Sequence, residues 1–382
     1  MVNYRTCIVS SLDEIGQSAW DSLVALQPET NPFLSYAFLS ALHETGCATP
    51  ETGWQPQYLC LWRQDELHAA LPLYVKSHSY GEYVFDWSWA DAYRRHGVRY
   101  YPKLLSAIPF TPVSGGRLLA RDTAARLALV ESLADLQRNA GLSSTHILFP
   151  PEDEARLLQE SGFLLRRGVQ FHWENAGYAH FDDFLSTLDR KKSKNIRAER
   201  RKVFEAGISF RHVPGAQATP ADWAFFQRCY ANTYAEHHST PYLNLDFFER
   251  IGTTMPQHIL LVFAEREGKL IASSLLVHDQ KALYGRYWGT LEYVPCLHFE
   301  TAYYQPLEFC IRQGIGSFEG GAQGEHKLAR GFMPRPTWSA HWLADPAFAD
   351  AIRHFLRQEA GGMAAYIDEL NEHAPFKNVK SC

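Results

Sequence analysis

Fourteen consecutive residues, Phe318 to Gly331, hold four glycines, two carboxylates, a histidine, a lysine and an arginine. Glu319, Glu325 and His326 are groups that can move protons, and Lys327 and Arg330 are groups that can hold an anion. Gly320, Gly321, Gly324 and Gly331 let the backbone come close to a ligand that those groups would address. So dense a mixture of titratable side chains beside an apolar strand marks a candidate reaction site. A solvated loop with turn glycines is the alternative that the same residues leave open.

The flanking sequence says what must hold this loop. Phe299, Tyr303, Leu307 and Ile311 recur at helical spacing, with Tyr304 beside them. Gly314 and Gly316 break the helix, and Ile315 to Phe318 reads as a short strand leading into the loop. Upstream, Tyr284 to Gly289 is a polar, aromatic strand ahead of His298, Phe299 and Glu300 at the helix start. If the two strands are neighbours, Arg286, Tyr287 and Trp288 line a cleft with the loop, joined by His298, Glu300, Tyr303 and Gln323. Aromatic side chains that merely fill core are the other reading of Tyr287 and Trp288. A second polar group, Lys76, His78, Tyr80, Glu82 and Asp86, lies in the first half, where Glu82 to Trp89 reads as a strand carrying Asp86. It is either an acceptor pocket or a surface hairpin.

A chain of 382 residues suits two domains of roughly 150 to 200 residues. Hydrophobic content of 46% with 21% charged residues is ordinary for a folded protein, and an aromatic content of 14% favours aromatic-lined clefts. The net charge of -5 offers nucleic acid or anionic membrane no global attraction, so any such contact is local. Seven cysteines, scattered and never in a CxxC pair, fit a reducing compartment. With no apolar core in Met1 to Ile15 and no run of eighteen apolar residues, the sequence predicts a cytoplasmic protein without a transmembrane segment. There is no GxSxG elbow, phosphate-binding GxxxxGK[ST] loop, dinucleotide GxGxxG or HExxH. The histidines lack metal-ligand spacing, and adjacent His237 and His238 make a poor chelate, so no metal site is expected.

One arrangement occurs twice. Pro32 to Leu42, with Ser35 in position to cap a helix, is echoed by Pro241 to Ile251, with Asn244 in the cap position. A hairpin follows each, Tyr58 to Val75 and Leu261 to Leu276, with turns at Arg63-Gln-Asp-Glu66 and Glu265-Arg-Glu-Gly-Lys269. A cap, helix and hairpin recurring about two hundred residues apart indicates two copies of one fold. Strands alternating with helices, such as Thr123 to Asn139 ahead of Thr145 to Phe149, predict mixed α/β layers. Leu104 to Thr111 reads as a further strand interrupted by prolines, and Asn175 to Gly177 as a joint between halves. Between Arg190 and Lys202 stand eight Lys or Arg residues and one Glu. Through Lys191, Lys192, Lys194 and Arg197, this helix could hold a polyanion such as tRNA or a lipid pyrophosphate; a solvated surface helix is the alternative.

The order of Tyr284-Gly-Arg-Tyr-Trp-Gly289, His298 to Gln305 and Ser317 to Ala322 resembles the second half of Fem-type peptidoglycan aminoacyltransferases. So does Phe184 to Arg197 leading into Lys202-Val-Phe-Glu-Ala-Gly207. The segments Tyr74 to Trp87, Tyr284 to Gly289 and Gly321 to Phe332 resemble a bacterial subgroup of predicted N-acyltransferases within that family. The resemblance covers nearly the whole chain. It implies a tandem duplication of the GNAT acetyltransferase fold, with domains at about 1–175 and 176–345 and a helix and tail at 346–382. It also implies transfer of an acyl or aminoacyl group, with no bound cofactor, from acyl-CoA or aminoacyl-tRNA to an amine acceptor, either a small molecule or a cell-wall precursor. In such a reaction Glu319, Glu325 or His326 would be the base, and Lys327, Arg330 and Arg286 the charge partners. Two features depart from the pattern: the long helical arm of some tRNA-using relatives has no counterpart, and Leu291 to Glu300 replaces the usual glycine-rich acyl-CoA turn. A duplicated binding module without catalysis is the remaining alternative.

Overall fold

The computed structural model describes residues 3–321 and 324–377, so Gln323 lies outside the described residues. The chain divides into two compact units. One runs to Gly168 and takes in Pro336–Ala365; the other takes Val169–Arg335 and resumes at Tyr366. The chain changes unit inside the strands Leu164–Glu174 and Met333–Leu343 and inside the helix Pro346–Glu372, where the sequence placed joints near 175 and 345. Asn175 makes a poor joint because its amide donates to the Gly316 carbonyl at 2.9 Å and its side chain to Ile315 at 3.1 Å, tying it into the second unit.

In the first unit an antiparallel sheet runs in the order Arg5–Val9, Tyr58–Arg63, Glu66–Leu71, Leu119–Ala120. The helix Thr123–Ala140 packs Ala125, Leu129 and Leu133 onto Leu59, Leu61 and Leu71 of this sheet. Asp122 caps its first turn through the Ala125 amide, and Gly141, at φ 64°, ends it in the left-handed conformation that glycine adopts freely. Further strands, Trp54–Pro56, Tyr74–Lys76, Lys103–Ser106 and Ser144–Leu148, pair in that order, the last two in parallel.

The second unit is built on the order Ile208–Pro214, Ile259–Arg266, Lys269–His278, Ala282–Thr290, Ser317–Glu319. All neighbours are antiparallel except the last pair, which is joined by a helical crossover through residues 297–313. Mixed α/β layers with mixed sheets are thus present, as the sequence predicts.

The repeated arrangement is visible in detail. Ser35 accepts from the Phe38 amide at the head of Tyr36–Glu44, and Asn244 from the Phe247 amide at the head of Leu245–Thr254. In both hairpins the strand leaving the turn carries one extra residue, His68 opposite the Leu61–Trp62 step and Ile271 opposite the Ala264–Glu265 step. In both turns the first central residue is left-handed, Gln64 at φ 54° and Glu267 at φ 51°.

Two strand expectations fail. Glu82 to Trp89 is a turn that enters the helix Trp87–Arg95, with Asp86 at the helix start and Tyr83 left-handed at φ 62°. Its carboxylates Glu82 and Asp86 serve a polar anchor, described below, and no sheet. The strand expected from Leu104 to Thr111 is Lys103–Ser106 alone, because prolines at 109 and 112 remove ladder donors beyond it.

Candidate active site

The strands Ala282–Thr290 and Ser317–Glu319 pair only over Ala282 to Tyr284 against Ser317 to Glu319. Beyond that, one chain continues as Gly285 to Trp288 and the other turns away at Gly320. Between them lies a cavity of about 230 Å³ whose walls include Arg286, Tyr287, Trp288, His298, Tyr303 and Lys327. The two strands are therefore neighbours, and the loop, the aromatic strand and the helix start do meet.

Local chemistry explains the shape. Opposite Leu275 and Leu276, the strand Ala282–Thr290 carries one extra residue: Leu276 faces Gly285 and Leu275 faces Tyr287, so Arg286 occupies a bulge. Bulges re-aim a side chain, here a guanidinium at the mouth of the parting strands. The crossover helix contains a π turn, Glu300–Tyr304, flanked by α-helical residues. Such turns shift the side chains beyond them around the axis and are frequent at functional sites. Here the turn presents Tyr303 to the cavity while Tyr304 enters the core. At Gly320 a Cβ would lie 3.2 Å from the Lys327 side chain, so the backbone there passes close under the lysine.

Lys327 is 1% exposed, and its amine donates to the Gly321 carbonyl at 2.9 Å. Burial, reinforced by Arg286, pulls its pKa down to about 7, so a large share of it is neutral near physiological pH. Glu319 lies in register between Tyr284 and His172, with one carboxylate oxygen lacking a hydrogen-bond partner. Burial raises it to about 7 against the pull of Arg286. The hydroxyl of Tyr303 stands 3.2 Å from His326 Nε2, and burial pushes that hydroxyl up to about 12. His298, sandwiched among Trp288, Tyr303 and His326, is held down to about 4 by burial and stays neutral.

Three expected members are placed elsewhere. Glu325 is exposed and accepts from Tyr366 rather than facing the cavity. Arg330 is buried but spends its guanidinium on both oxygens of Glu199 and on the His326 carbonyl, stacked 3.4 Å over Phe299. Glu300, fully buried, accepts from Arg200 and Gln305. Arg330 and Glu300 thus close against the basic helix, and neither lines the cavity. Ser274, Gly285 and Ala302 also line the cavity and were missed. Glu199 was missed too, although a lone acid among eight cations is a signal that one helix face turns inward.

The polar group of the first unit is an anchor. Lys103, 0% exposed, donates to Ser79 and Glu82 at 2.8 Å each and to Asp86. Asp86 also accepts from Tyr100, whose hydroxyl touches His146, and His146 pairs with His341 at 2.7 Å. Lys76 lies buried over the Trp54 ring with its pKa lowered to about 7 by burial, and His78 bonds the Thr52 carbonyl. Of the five expected substrate contacts there, only Tyr80 is an exposed large side chain.

The basic segment is the helix Arg190–Glu205, with Ser193, Ile196 and Val203 turned inward. Lys194 and Arg197 border cavities beside it, whereas Lys191 and Lys192 border neither. The larger of these clefts, about 990 Å³, has neither Lys327 nor Glu319 in its wall. Among the described residues no cluster of His, Cys, Asp and Glu is arranged to hold a metal ion, and no helix is long and apolar enough to cross a membrane.

A family model, FemAB_like, described as peptidoglycan biosynthesis and recognition, matches residues 11–378. No curated protein matches the sequence. Among solved structures the fold is similar to FemX, at 11% identity over 91% of this chain and 100% of that one, with a TM-score of 0.57. It is similar as well to the C-terminal domain assigned to a lysylphosphatidylglycerol synthetase from Agrobacterium fabrum, at 11% identity over 91% and 96% of the two chains, TM-score 0.56. L-PGS from Bacillus licheniformis matches at 10% identity over 89% and 96%, TM-score 0.53.

Proposed function

We propose that this chain, which belongs to the FemAB-like family of peptidoglycan biosynthesis and recognition proteins, transfers an acyl or aminoacyl group from an activated ester or thioester to an amine. The observation that carries the reading is Lys327: a buried amine, near-neutral at about 7, in the wall of a cavity beside Arg286. Attack of an amine on an acyl carbon forms a C–N bond and an oxyanion, and the attacking nitrogen must shed a proton. Neutral Lys327 takes that proton, and Arg286 offsets the oxyanion charge. Collapse breaks the C–O or C–S bond, and the leaving oxygen or sulfur takes a proton from Tyr303, which His326 orients. Glu319, without a place in the cavity wall, sets the local field with Arg286.

The acceptor amine in this reading belongs to a cell-wall precursor, in keeping with the family description. The donor is aminoacyl-tRNA or acyl-CoA, and the basic helix Arg190–Glu205 supports a donor carrying many phosphates. The reaction would run in the cytoplasm, where the six described cysteines, all free thiols, stay reduced. The test is turnover by the purified protein with charged tRNA or with acyl-CoA and an amine acceptor, followed by product mass. Acyl transfer that is lost in Lys327→Ala supports the reading; full transfer by that variant removes Lys327 from the chemistry.

A further inference from the structure

The π turn Glu300–Tyr304 passes over one carbonyl of its own helix. The Gln305 amide donates to Glu300, five residues back, rather than to Thr301, four back. A donor five residues on from Thr301 would be residue 306, which is proline and has no amide. Thr301 is 0% exposed, so bulk solvent does not reach it. The bond comes from another element: Ser274, on the strand Lys269–His278, donates its hydroxyl to the Thr301 carbonyl at 2.9 Å.

Ser274 is itself buried, faces Trp288 across the sheet and stands in the wall of the cavity. The next two residues, Leu275 and Leu276, lie opposite the bulge that aims Arg286. The two irregularities that shape the cavity, bulge and π turn, thus meet at one short stretch of strand. The hydroxyl also decides between two registers. A buried carbonyl without a donor is costly. Without Ser274 the nearest donor is the Gln305 amide, which reaches Thr301 only by leaving Glu300, and the turn then tightens to α. Tightening by one residue rotates the stretches on either side by about 100° relative to each other. Leu307 and Ile311 are seated in the core, so the change falls on the turn itself and on Tyr303.

We infer that Ser274 is a positioning residue for Tyr303: its hydroxyl holds the π turn in the register that brings Tyr303 into the cavity, 3.2 Å from His326 Nε2. Ser274 moves no proton in the reaction, since its own is committed to the Thr301 carbonyl. The inference rests on the acyl-transfer reading for what Tyr303 does there, whereas the link between Ser274 and the turn is read without substrate.

Ser274→Thr and Ser274→Val add the same bulk to the cavity wall and differ only in the hydroxyl. Hydrogen–deuterium exchange read by mass spectrometry follows the turn itself. Exchange over residues 299–307 is expected to rise about tenfold in Ser274→Val and to stay near the parent rate in Ser274→Thr. Equal exchange in the two variants would overturn the assignment, whether or not the protein transfers acyl groups. Turnover follows the consequence: kcat about tenfold lower in Ser274→Val than in Ser274→Thr, with KM within about threefold. Placed in a Tyr303→Phe background, the two variants are expected to have equal kcat, because Ser274 acts through that hydroxyl. Losses that multiply there would show that Ser274 acts by another route and would overturn its role toward Tyr303. No transfer by the parent protein would sink the acyl-transfer reading, and the exchange comparison would still decide whether Ser274 holds the turn.

Discussion

Glu199 grips Arg330 with both carboxylate oxygens, at 3.0 and 2.9 Å, and accepts the hydroxyl of Tyr304 as well. Its neighbour Arg200 holds Glu300 and Glu308 on the crossover helix. One turn of the basic helix thus clamps both the π turn that presents Tyr303 and the loop that presents Lys327. Glu199→Gln keeps the size of the side chain and loses the charge. The expected result is a fall in kcat of roughly tenfold with KM changed less than threefold, since the clamp positions the amine and does not touch substrate. An unchanged kcat would show that the loop holds its place without this ion pair.

Lys327 makes a pH prediction with a definite sign. A base must be unprotonated, so with its pKa lowered to about 7 the rate climbs with pH and levels off above about 7. Glu319 is raised to about the same value, so the limb alone does not separate them. Glu319→Gln is expected to keep the limb. Rate profiles of Glu319→Gln in which the limb vanishes would move the base to the carboxyl.

The same shift implies that Lys327 costs stability. Its folded pKa lies below the unfolded value, so the unfolded chain binds more protons between about pH 7 and 10, and stability rises with pH across that window. Lys327→Met removes the buried amine and is expected to raise Tm by a few degrees near neutral pH while abolishing turnover. A structural lysine would give the opposite, and a lower Tm in the methionine variant would make the loop a scaffold.

How much of this was legible depended on whether a residue answers to its sequence neighbours or to distant ones. The caps at Ser35 and Asn244, the helix from Thr123 and both hairpins follow from local rules, and they stand where those rules put them. The cavity was legible as a set, because Arg286, Trp288, His298, Tyr303 and Lys327 sit on adjoining elements whose order implies adjacency. Arg330 and Glu300 were not, since their partners, Glu199 and Arg200, lie 131 and 100 residues away. The turn at Glu82 to Asp86 was misread for the same reason: Lys103, 21 and 17 residues downstream, organises it.

Lys103 carries the stability of that turn. Burial pushes the Asp86 carboxyl up, but Lys103 outweighs it and holds the group below the usual carboxylate range. Glu82 goes the other way, raised to about 7 by burial. Lys103→Met would leave two acidic groups buried without their cation, a loss of about 3–5 kcal/mol, read as a lower urea midpoint. A loss under about 1 kcal/mol would mean that the carboxyls take up protons and need no partner. Because Asp86 is depressed, its contribution is present above about pH 4 and fades as pH falls further.

The paired turns give a test of the repeated fold that needs no knowledge of the reaction. Gln64 and Glu267 hold φ of 54° and 51° at the same step of their hairpins. A side chain in that conformation costs about 1–2 kcal/mol, and glycine removes the cost but adds about 0.5–1 kcal/mol of unfolded-chain entropy. Gln64→Gly and Glu267→Gly are each expected to be neutral to about 1 kcal/mol stabilising, and by similar amounts. The second central position differs between the copies: Gly268 is left-handed at φ 76°, and Asp65 stands opposite it in the first turn. Gly268→Ala is therefore expected to cost about 1 kcal/mol or more; Asp65 is not left-handed, so Asp65→Gly relieves no strain and is expected to cost about 0.5–1 kcal/mol. Chemical unfolding of the four variants measures all of this. If Gln64→Gly destabilised while Glu267→Gly stabilised, the two hairpins would share a sequence pattern without sharing a turn, and the duplication would have to rest on the capped helices alone.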